Sequence, residues 1–229
     1  MRNLLILWIF VAGTVHAEAP TDAGRQSAAI KYAPPMRGAP ASRVGGGSRG
    51  VGDNVASLQV LAPDHTGLTT FEQPTLYWYV SKPTQAHFEI TVTNDQAVDP
   101  LVDKDFEMPV KAGIQRLRLA DFGVKLKTGI EYRWYVSLMV DPAQRSNDVV
   151  ASGTIERIDP SDDLKAKLAH ADKTSIPRIY AGAGIWYDAL DTLSDLIDAG
   201  DNKLREQRAA LLDDVDLKDA AASDRHPEK

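Results

Sequence analysis

The hydrophobic pattern of this chain changes its period once, and that change constrains the fold more than any other feature. Between residues 55 and 158 apolar and polar residues alternate, which is the pattern of strands with one buried face. From Pro160 onward apolar residues recur every three or four positions, which is the pattern of amphipathic helices. The chain is therefore predicted to be mainly β with a C-terminal α segment.

The β region is predicted to be a β-sandwich over residues 55–158. Its candidate strands are Val55–Leu61, Leu76–Val80, His87–Thr93, Lys104–Val110, Ile114–Leu119, Glu131–Val140 and Val149–Ile158. Gly, Pro, Asn and Asp residues separate these runs and mark turns between them. Short strands at this spacing are typical of a sandwich.

One local pattern indicates the kind of sandwich. Leu126, the turn residue Gly129 and Tyr132 precede the strongest predicted strand. This order resembles the tyrosine corner of immunoglobulin-like and fibronectin type III domains, in which the phenol hydrogen-bonds nearby backbone. We therefore expect an immunoglobulin/fibronectin-III-like sandwich.

The region after the strands is predicted to be a helical segment over residues 159–213. Ser161 has the character of a helix cap, and Gly184 and Gly200 end helices. Residues 180–190 resemble the helix hairpin of a tetratricopeptide repeat, which cannot bury its own faces as a single copy. The segment is therefore expected to dock on the sandwich. The polar residues 214–229 are predicted to be a disordered tail.

The N-terminus has the pattern of a secretory signal peptide over residues 1–17. Arg2 is followed by the apolar run Leu4–Val11 and by small residues at Val15-His16-Ala17, which places the cut after Ala17. The expected location is periplasmic or secreted. The apolar run is too short for a stable anchor, so no integral membrane segment is expected after cleavage. The chain has no Cys, which excludes disulfides, thiol catalysis and cysteine metal sites.

Residues 18–54 are predicted to be a flexible basic arm rich in Gly, Pro and Ala. Arg37, Arg43 and Arg49 lie in its glycine-rich part and are candidate interaction residues. The stretch lacks the Lys-Ser/Thr ending of a phosphate-binding loop, so we favour an arm lying on the acidic body over an anion site. The full chain has 26 basic and 32 acidic residues, and loss of Arg2 leaves a net charge of −7. Nucleic acid is therefore not expected as a partner.

Aromatic side chains outside the predicted core are the next candidates for binding. Tyr77, Tyr79 and Tyr135 fall on strand faces opposite the core, where aromatic rings can stack on sugars. Alternatively, this face is the dock for the helical segment, whose Trp186 needs a surface to cover. We favour the second interpretation because it accounts for both apolar surfaces. Arg145, between Asp141 and Asp148, predicts an internal ion pair, with a ligand-gripping loop as the alternative.

No residue pattern typical of catalysis or of a metal site is found. His65, His87, His170 and His226 fall in separate predicted elements, and none lies in a ligand motif. The acidic stretch from Asp99 to Glu107 lacks the turn glycine of a calcium loop. The chain also lacks a Gly-x-Ser-x-Gly motif. We therefore expect no enzymatic activity and no cofactor.

Three motifs together resemble a family of exported bacterial proteins described as a domain of unknown function, DUF928. They are Arg37–Pro40 with Arg43–Gly50, Tyr132–Tyr135 followed by Asp141-Pro142 and Arg145-Ser146, and Gly184–Leu190. The resemblance spans about residues 37–200 and implies export and a similar layout. It implies no activity and no catalytic residues.

These observations lead to one expected function and two alternatives. The chain is expected to be an exported, non-catalytic interaction module of the bacterial envelope. Its partner would be another envelope or secreted protein, met through the helical segment, the arm or an open strand edge. The first alternative is carbohydrate binding through the three tyrosines, and the second is hydrolysis of an envelope polymer.

Overall fold

A computed structural model describes residues 29–35, 43, 55–94, 99–106, 110–141 and 143–227. Within these ranges the strands precede the helices. The strands are β1 (Leu58–Val60), β2 (Gly67–Thr69), β3 (Thr75–Val80), β4 (His87–Thr93), β5 (Val102–Phe106), β6 (Gly113–Arg118), β7 (Glu131–Met139) and β8 (Val149–Arg157). The helices are α1 (Asp162–Ala169), α2 (Ile176–Gly182), α3 (Trp186–Asp198), α4 (Arg205–Asp213) and α5 (Lys218–Arg225).

The strands form two sheets. The small sheet has the order β1-β3-β6, and the large sheet has the order β2-β8-β7-β4-β5. All neighbours are antiparallel except β2 and β8, which are parallel. The alternation in β7 has the expected result, since Tyr132, Trp134, Val136 and Leu138 are buried between exposed or half-buried neighbours. The predicted order, a β region followed by C-terminal helices, is confirmed, although the helices make the fold mixed rather than mainly β.

The strand β2 is missing from the sequence prediction, which placed no strand between Leu61 and Leu76. β2 has three residues, all buried, so it shows no alternation. Gly67 is required there because a Cβ would lie 2.6 Å from a ring carbon of Tyr187. This close approach brings the β2 backbone against α3.

The N-terminal turn of α3 joins the two sheets. Trp186 Nε1 donates to the carbonyl of Leu61, just after β1, at 2.9 Å. Tyr187 Oη donates to the carbonyl of Thr154 on β8 at 2.9 Å and accepts from Trp134 Nε1 at 2.9 Å. These contacts fix the helical segment to the β region through buried hydrogen bonds rather than through surface contacts alone.

Residues 29–35, which we call the strap, lie on the helical segment. Ile30 and Tyr32 are buried, and the Ala33 N–H donates to the carbonyl of Ala181 at 3.1 Å. The Tyr32 ring packs edge-on against Trp186, with a centroid distance of 5.1 Å. The strap, which belongs to the predicted flexible arm of residues 18–54, therefore packs on the core instead. Two apolar residues are too few to give a periodic signal in a stretch rich in small residues.

The predicted disordered tail is also wrong over residues 218–225, which form α5. Ala220, Ala221 and Asp224 are buried there. A solvated tail was predicted because charged residues dominate this stretch. In the structure several of these charged side chains form ion pairs with α4.

The predictions of a signal peptide and of no membrane-spanning segment can be compared with the structure only in part. The predicted signal peptide, residues 1–17, lies outside the described residues. In the part of the chain that the structure describes, no helix has the length and apolar character needed to cross a membrane.

Candidate functional site

The outer face of the small sheet is covered by the helical segment. Tyr77 on β3 is in register with Arg116 on β6, and Tyr79 with Ile114, so these four side chains share one face. Leu76, Trp78 and Val80 point to the opposite face, and β3 is buried at all six positions. A strand buried on both faces requires a layer on each side.

The helix α3 covers one part of this face with a stripe of acids. Asp191, Asp195 and Asp198 are four and three residues apart and therefore lie on one side of the helix. Tyr77 Oη donates to Asp191 at 2.7 Å, Arg118 pairs with Asp195 at 3.4 Å, and Arg116 pairs with Asp198. Burial raises the pKa of Tyr77, and the neighbouring Asp191 carboxylate raises that pKa further.

Beside α3, a cleft of about 800 Å³ lies between the small sheet and the helices α4 and α5. Tyr79 and Ile114 belong to its sheet side. Its helical wall is a stripe of α5 and its C-terminal flank at spacing i, i+3, i+4, i+7. The members of this stripe are Asp219, Ala222, Ser223 and His226.

A buried ion pair holds α5 in place beside the cleft. Arg208 on α4 makes two bonds to Asp224, from Nε at 2.7 Å and from Nη2 at 2.6 Å. Its Nη1 donates to Ser194 on α3 at 3.0 Å. Arg205 adds a bond from Nη1 to Asp224 at 3.0 Å. One carboxylate therefore ties α5 to α4, and Arg208 extends the connection to α3.

Several polar groups of the cleft have no partner within the described ranges. They are the hydroxyls of Tyr79 and Ser223, the carboxylate of Asp219 and the ring of His226. The positive and negative charges of the lining side chains are equal in number. Three arginines (Arg116, Arg205 and Arg208) face three aspartates (Asp198, Asp219 and Asp224). The cleft therefore offers free hydrogen-bonding groups without excess charge.

The three candidate tyrosines do not form one platform. Tyr77 and Tyr79 are both largely buried and both line the cleft, but the Tyr77 hydroxyl is bonded to Asp191. Tyr135 is half-buried on β7, which belongs to the large sheet. The sequence prediction placed all three side chains on strand faces opposite the core. Because β3 and β7 belong to different sheets, these faces are on different outer surfaces of the protein.

Trp186 is a core residue rather than an interaction residue. It has no exposed surface, and its indole N–H is bonded to the Leu61 carbonyl. A partner could reach it only after the strap and α3 had separated from the sheets. Trp186 is therefore inaccessible to a partner in the folded protein, and the favoured interpretation, that it covers a surface of the β region, agrees with its bond to Leu61.

The candidate arginines have structural partners where they are described. Arg145 pairs with Asp148 at 2.6 Å, as the internal ion pair predicted, and also with Glu89 on β4. Asp141 does not take part in this pair; its carboxylate accepts from the backbone N–H of Ala143 at 2.9 Å. Arg43 donates to the carbonyls of Ala62 at 3.0 Å and Val215 at 2.9 Å. Arg37 and Arg49 lie outside the described residues.

Asp188 on α3 carries a buried carboxylate. It accepts hydrogen bonds from the hydroxyls of Thr69 and Thr70 and from the Thr70 N–H at 2.9 Å. Burial raises the pKa of Asp188 to about 6, and the three donors lower it by less. A raised pKa is common at active sites, but Asp188 is not among the residues that line the cleft. Its contacts are those of a structural cap on the end of β2.

Metal binding has no candidate in the described part of the chain. No group of three or more His, Cys, Asp or Glu side chains is close enough there to hold a metal ion.

Comparison with known proteins assigns the chain to a family. The family described as Domain of Unknown Function (DUF928) matches residues 44–225, which is most of the chain and includes the cleft residues other than His226 and Pro227. The protein therefore belongs to the DUF928 family. No curated protein and no solved structure shows significant similarity to the chain.

Proposed function

We propose that the protein is an exported, non-catalytic interaction module of the bacterial envelope, and that the cleft is its binding site. The export part rests on the pattern of Arg2, the apolar run Leu4–Val11 and the small residues before Ala17. The partner is another envelope or secreted component, either a protein or a glycan.

The observation that carries this proposal is a cleft with fixed walls and free polar groups. The Arg208–Asp224 pair holds α5, and the pairs of α3 with the small sheet hold the opposite side. Tyr79, Asp219, Ser223 and His226 remain without partners in the described ranges. Because ordering costs weaken association, a wall that is already ordered favours binding.

We also propose that the two sheets form an immunoglobulin-like sandwich. In such sandwiches strand F lies between strands C and G and begins with a tyrosine corner. Here β7 lies between β4 and β8, and near its start the Lys127 N–H donates to Tyr132 Oη at 3.1 Å. The likeness of α2 and α3 to a tetratricopeptide hairpin is supported by their mutual packing and by the turn at Gly184.

A crosslinking experiment tests the binding proposal. A benzophenone amino acid, which inserts into C–H bonds of proteins and sugars alike, replaces Ala222 in the cleft wall. The matched control replaces the exposed Ala143 in the loop between β7 and β8. In cells that secrete the protein, we expect a discrete crosslinked species at position 222 and none at position 143. Equal crosslinking at both positions, or none at either, would contradict the assignment of the cleft.

Hydrolysis of an envelope polymer is the second candidate, and one observation favours it. Asp219, Ser223 and His226 lie on the same wall of the cleft. However, no hydrogen bond joins these three side chains, whereas an activated serine needs a base within hydrogen-bond reach. Envelope polymer incubated with the protein and with the Ser223→Ala variant distinguishes the two functions. Release of soluble fragments by the unmodified protein alone would favour hydrolysis.

A further inference from the structure

We infer that the cleft binds an uncharged, hydroxyl-rich ligand, namely a short segment of a neutral saccharide. This inference rests on the proposed function, because it names the class of ligand for the same cleft. The volume of about 800 Å³ is within the range of small-molecule sites.

The charge balance of the lining favours a neutral ligand. Arg116 is paired with Asp198, and Arg208 makes both of its Asp224 bonds inside the protein. An anionic ligand would have to compete with these pairs, and it would also meet the free carboxylate of Asp219. A cationic ligand could pair with Asp219. However, it would also lie beside the positive charge of Arg205, which is only partly neutralised because Asp224 pairs with Arg208 as well.

The hydrogen-bonding groups of the cleft match hydroxyl groups. Each hydroxyl both donates and accepts, so a saccharide needs acceptors and donors side by side. The free acceptor is Asp219, and Arg205 Nη2 is a donor without a partner in the described ranges. The hydroxyls of Tyr79 and Ser223 can do both.

The cleft is less suited to binding a peptide segment than a saccharide. Peptide grooves provide either an open strand edge or apolar pockets for side-chain anchors. The edge strand of the small sheet that lies beside the cleft, β6, packs against α5. Apart from the rings of Tyr77 and Tyr79, which are largely buried, the apolar part of the lining consists of small residues, Ile114 and Pro227, which offer little apolar surface to an anchor side chain.

Tyr79 is the residue whose contribution can be isolated. Its ring is largely buried, with 8 % of its surface exposed, and its hydroxyl has no partner among the described residues. An aromatic ring with a free hydroxyl can contact sugar C–H groups and bond a sugar hydroxyl. Tyr135 is the matched control, since it is also a strand tyrosine without a described partner and lies on the large sheet.

The test uses the mature full chain and defined trisaccharides. Maltotriose, cellotriose and N,N′,N″-triacetylchitotriose are the neutral probes, trigalacturonate is the anionic probe, and calorimetric titration gives Kd. We expect binding of at least one neutral probe and at least tenfold weaker binding of trigalacturonate. Tyr79→Phe should weaken binding about fivefold, as expected for one hydrogen bond. Ala222→Trp, which fills the cleft from an exposed position, should abolish binding.

The outcomes separate this inference from the proposed function. Tyr135→Phe should leave Kd within about twofold of the unmodified protein, because its hydroxyl lies outside the cleft. Binding of trigalacturonate alone, no binding of any probe at millimolar concentration, or binding that survives Ala222→Trp would overturn the inference. If a protein crosslinks at position 222 while no saccharide binds, the proposed function stands and the saccharide assignment falls.

Discussion

Asp188 illustrates how single residues hold the helical segment to the sheets. Its carboxylate lies on α3 and accepts all three of its hydrogen bonds from Thr69 and Thr70, at the end of β2. Hydrogen bonds to a charged group are stronger than neutral ones, and an unpaired buried donor is costly. The motif Gly184–Leu190, which contains Asp188, therefore joins α3 to the end of β2 through buried hydrogen bonds.

The buried position of Asp188 predicts a pH dependence of stability. The pKa is about 6 in the folded state, against an ordinary value of 3.8. The folded state therefore binds this proton at higher pH than the unfolded state does. The contribution of Asp188 to the free energy of unfolding should increase as the pH falls from about 6 to about 4.

Asp188→Asn isolates this contribution. Urea unfolding of both proteins at pH 4, 5, 6 and 7 gives the difference in the free energy of unfolding at each pH. We expect the unmodified protein to gain stability relative to the variant as the pH falls. The variant should be less stable by about 1–3 kcal/mol at pH 7, because its amide cannot accept from the Thr70 N–H in the same geometry. A difference that does not change with pH would contradict the assignment.

At the level of elements, the turn between α2 and α3 depends on one glycine. Gly184 has φ of +76°, which side chains rarely adopt, and a Cβ there would lie 2.8 Å from the Ala33 carbonyl oxygen of the strap. Gly184→Ala should therefore destabilise the protein by more than about 1 kcal/mol. Gly182→Ala is the control. It lies two residues earlier in α2 with open space around it, and it should be neutral or stabilising by up to about 1 kcal/mol. Thermal unfolding of both variants measures the difference.

The helix α5 depends on its buried ion pair. Asp224→Ala would leave Arg208 buried without a counter-charge, and removal of one partner of such a pair costs about 3–5 kcal/mol. We expect the amides of α5 to exchange hydrogen much faster in this variant than in the unmodified protein. Asp219→Ala, on the same helix but without a described partner, should change exchange only slightly. Equal exchange in both variants would mean that packing of Ala220 and Ala221 alone holds α5.

The elements that the sequence predicts well are those with long periodic patterns. The alternation of β7 gives this strand almost at its observed bounds, and the predicted helix ends at Gly184 and Gly200 lie on either side of α3. The bond at Tyr132 was also predicted, because it depends on residues close in sequence. By contrast, β2 is too short to show a period, and α5 buries alanines behind paired charges. Both were missed because distant partners, β8 and α4, decide their structure.

The cleft was predictable only in part for the same reason. Tyr79 could be identified as a strand residue that points away from the core. Asp219, Ser223 and His226 could not, since their role depends on α5 meeting β6 at the far end of the chain. Counting charged residues also gave a wrong expectation for this region, because such a count treats Arg208 and Asp224 as solvated, whereas both are buried.

At the scale of the whole molecule, the strap adds a third segment to the core. Tyr32 packs on Trp186, and its backbone N–H donates to Asp214, just after α4, at 2.8 Å. Tyr32→Ala should lower the free energy of unfolding by about 3–5 kcal/mol, since it removes a buried aromatic ring. Lys31→Ala should change it by less than about 1 kcal/mol, because its pair with Asp214 is exposed on the lysine side. Guanidinium unfolding of both variants provides the comparison. A small effect of Tyr32→Ala would show that the strap is dispensable.

The position of the strap bears on how this protein should be produced in the laboratory. The family match begins at residue 44, whereas Ile30 and Tyr32 contribute to the core ahead of that boundary. A recombinant fragment trimmed to the match would leave the ring of Trp186 without its aromatic neighbour. Expression plasmids for crystallisation should therefore begin upstream of Ile30, and poor solubility of shorter fragments would be an artefact of trimming.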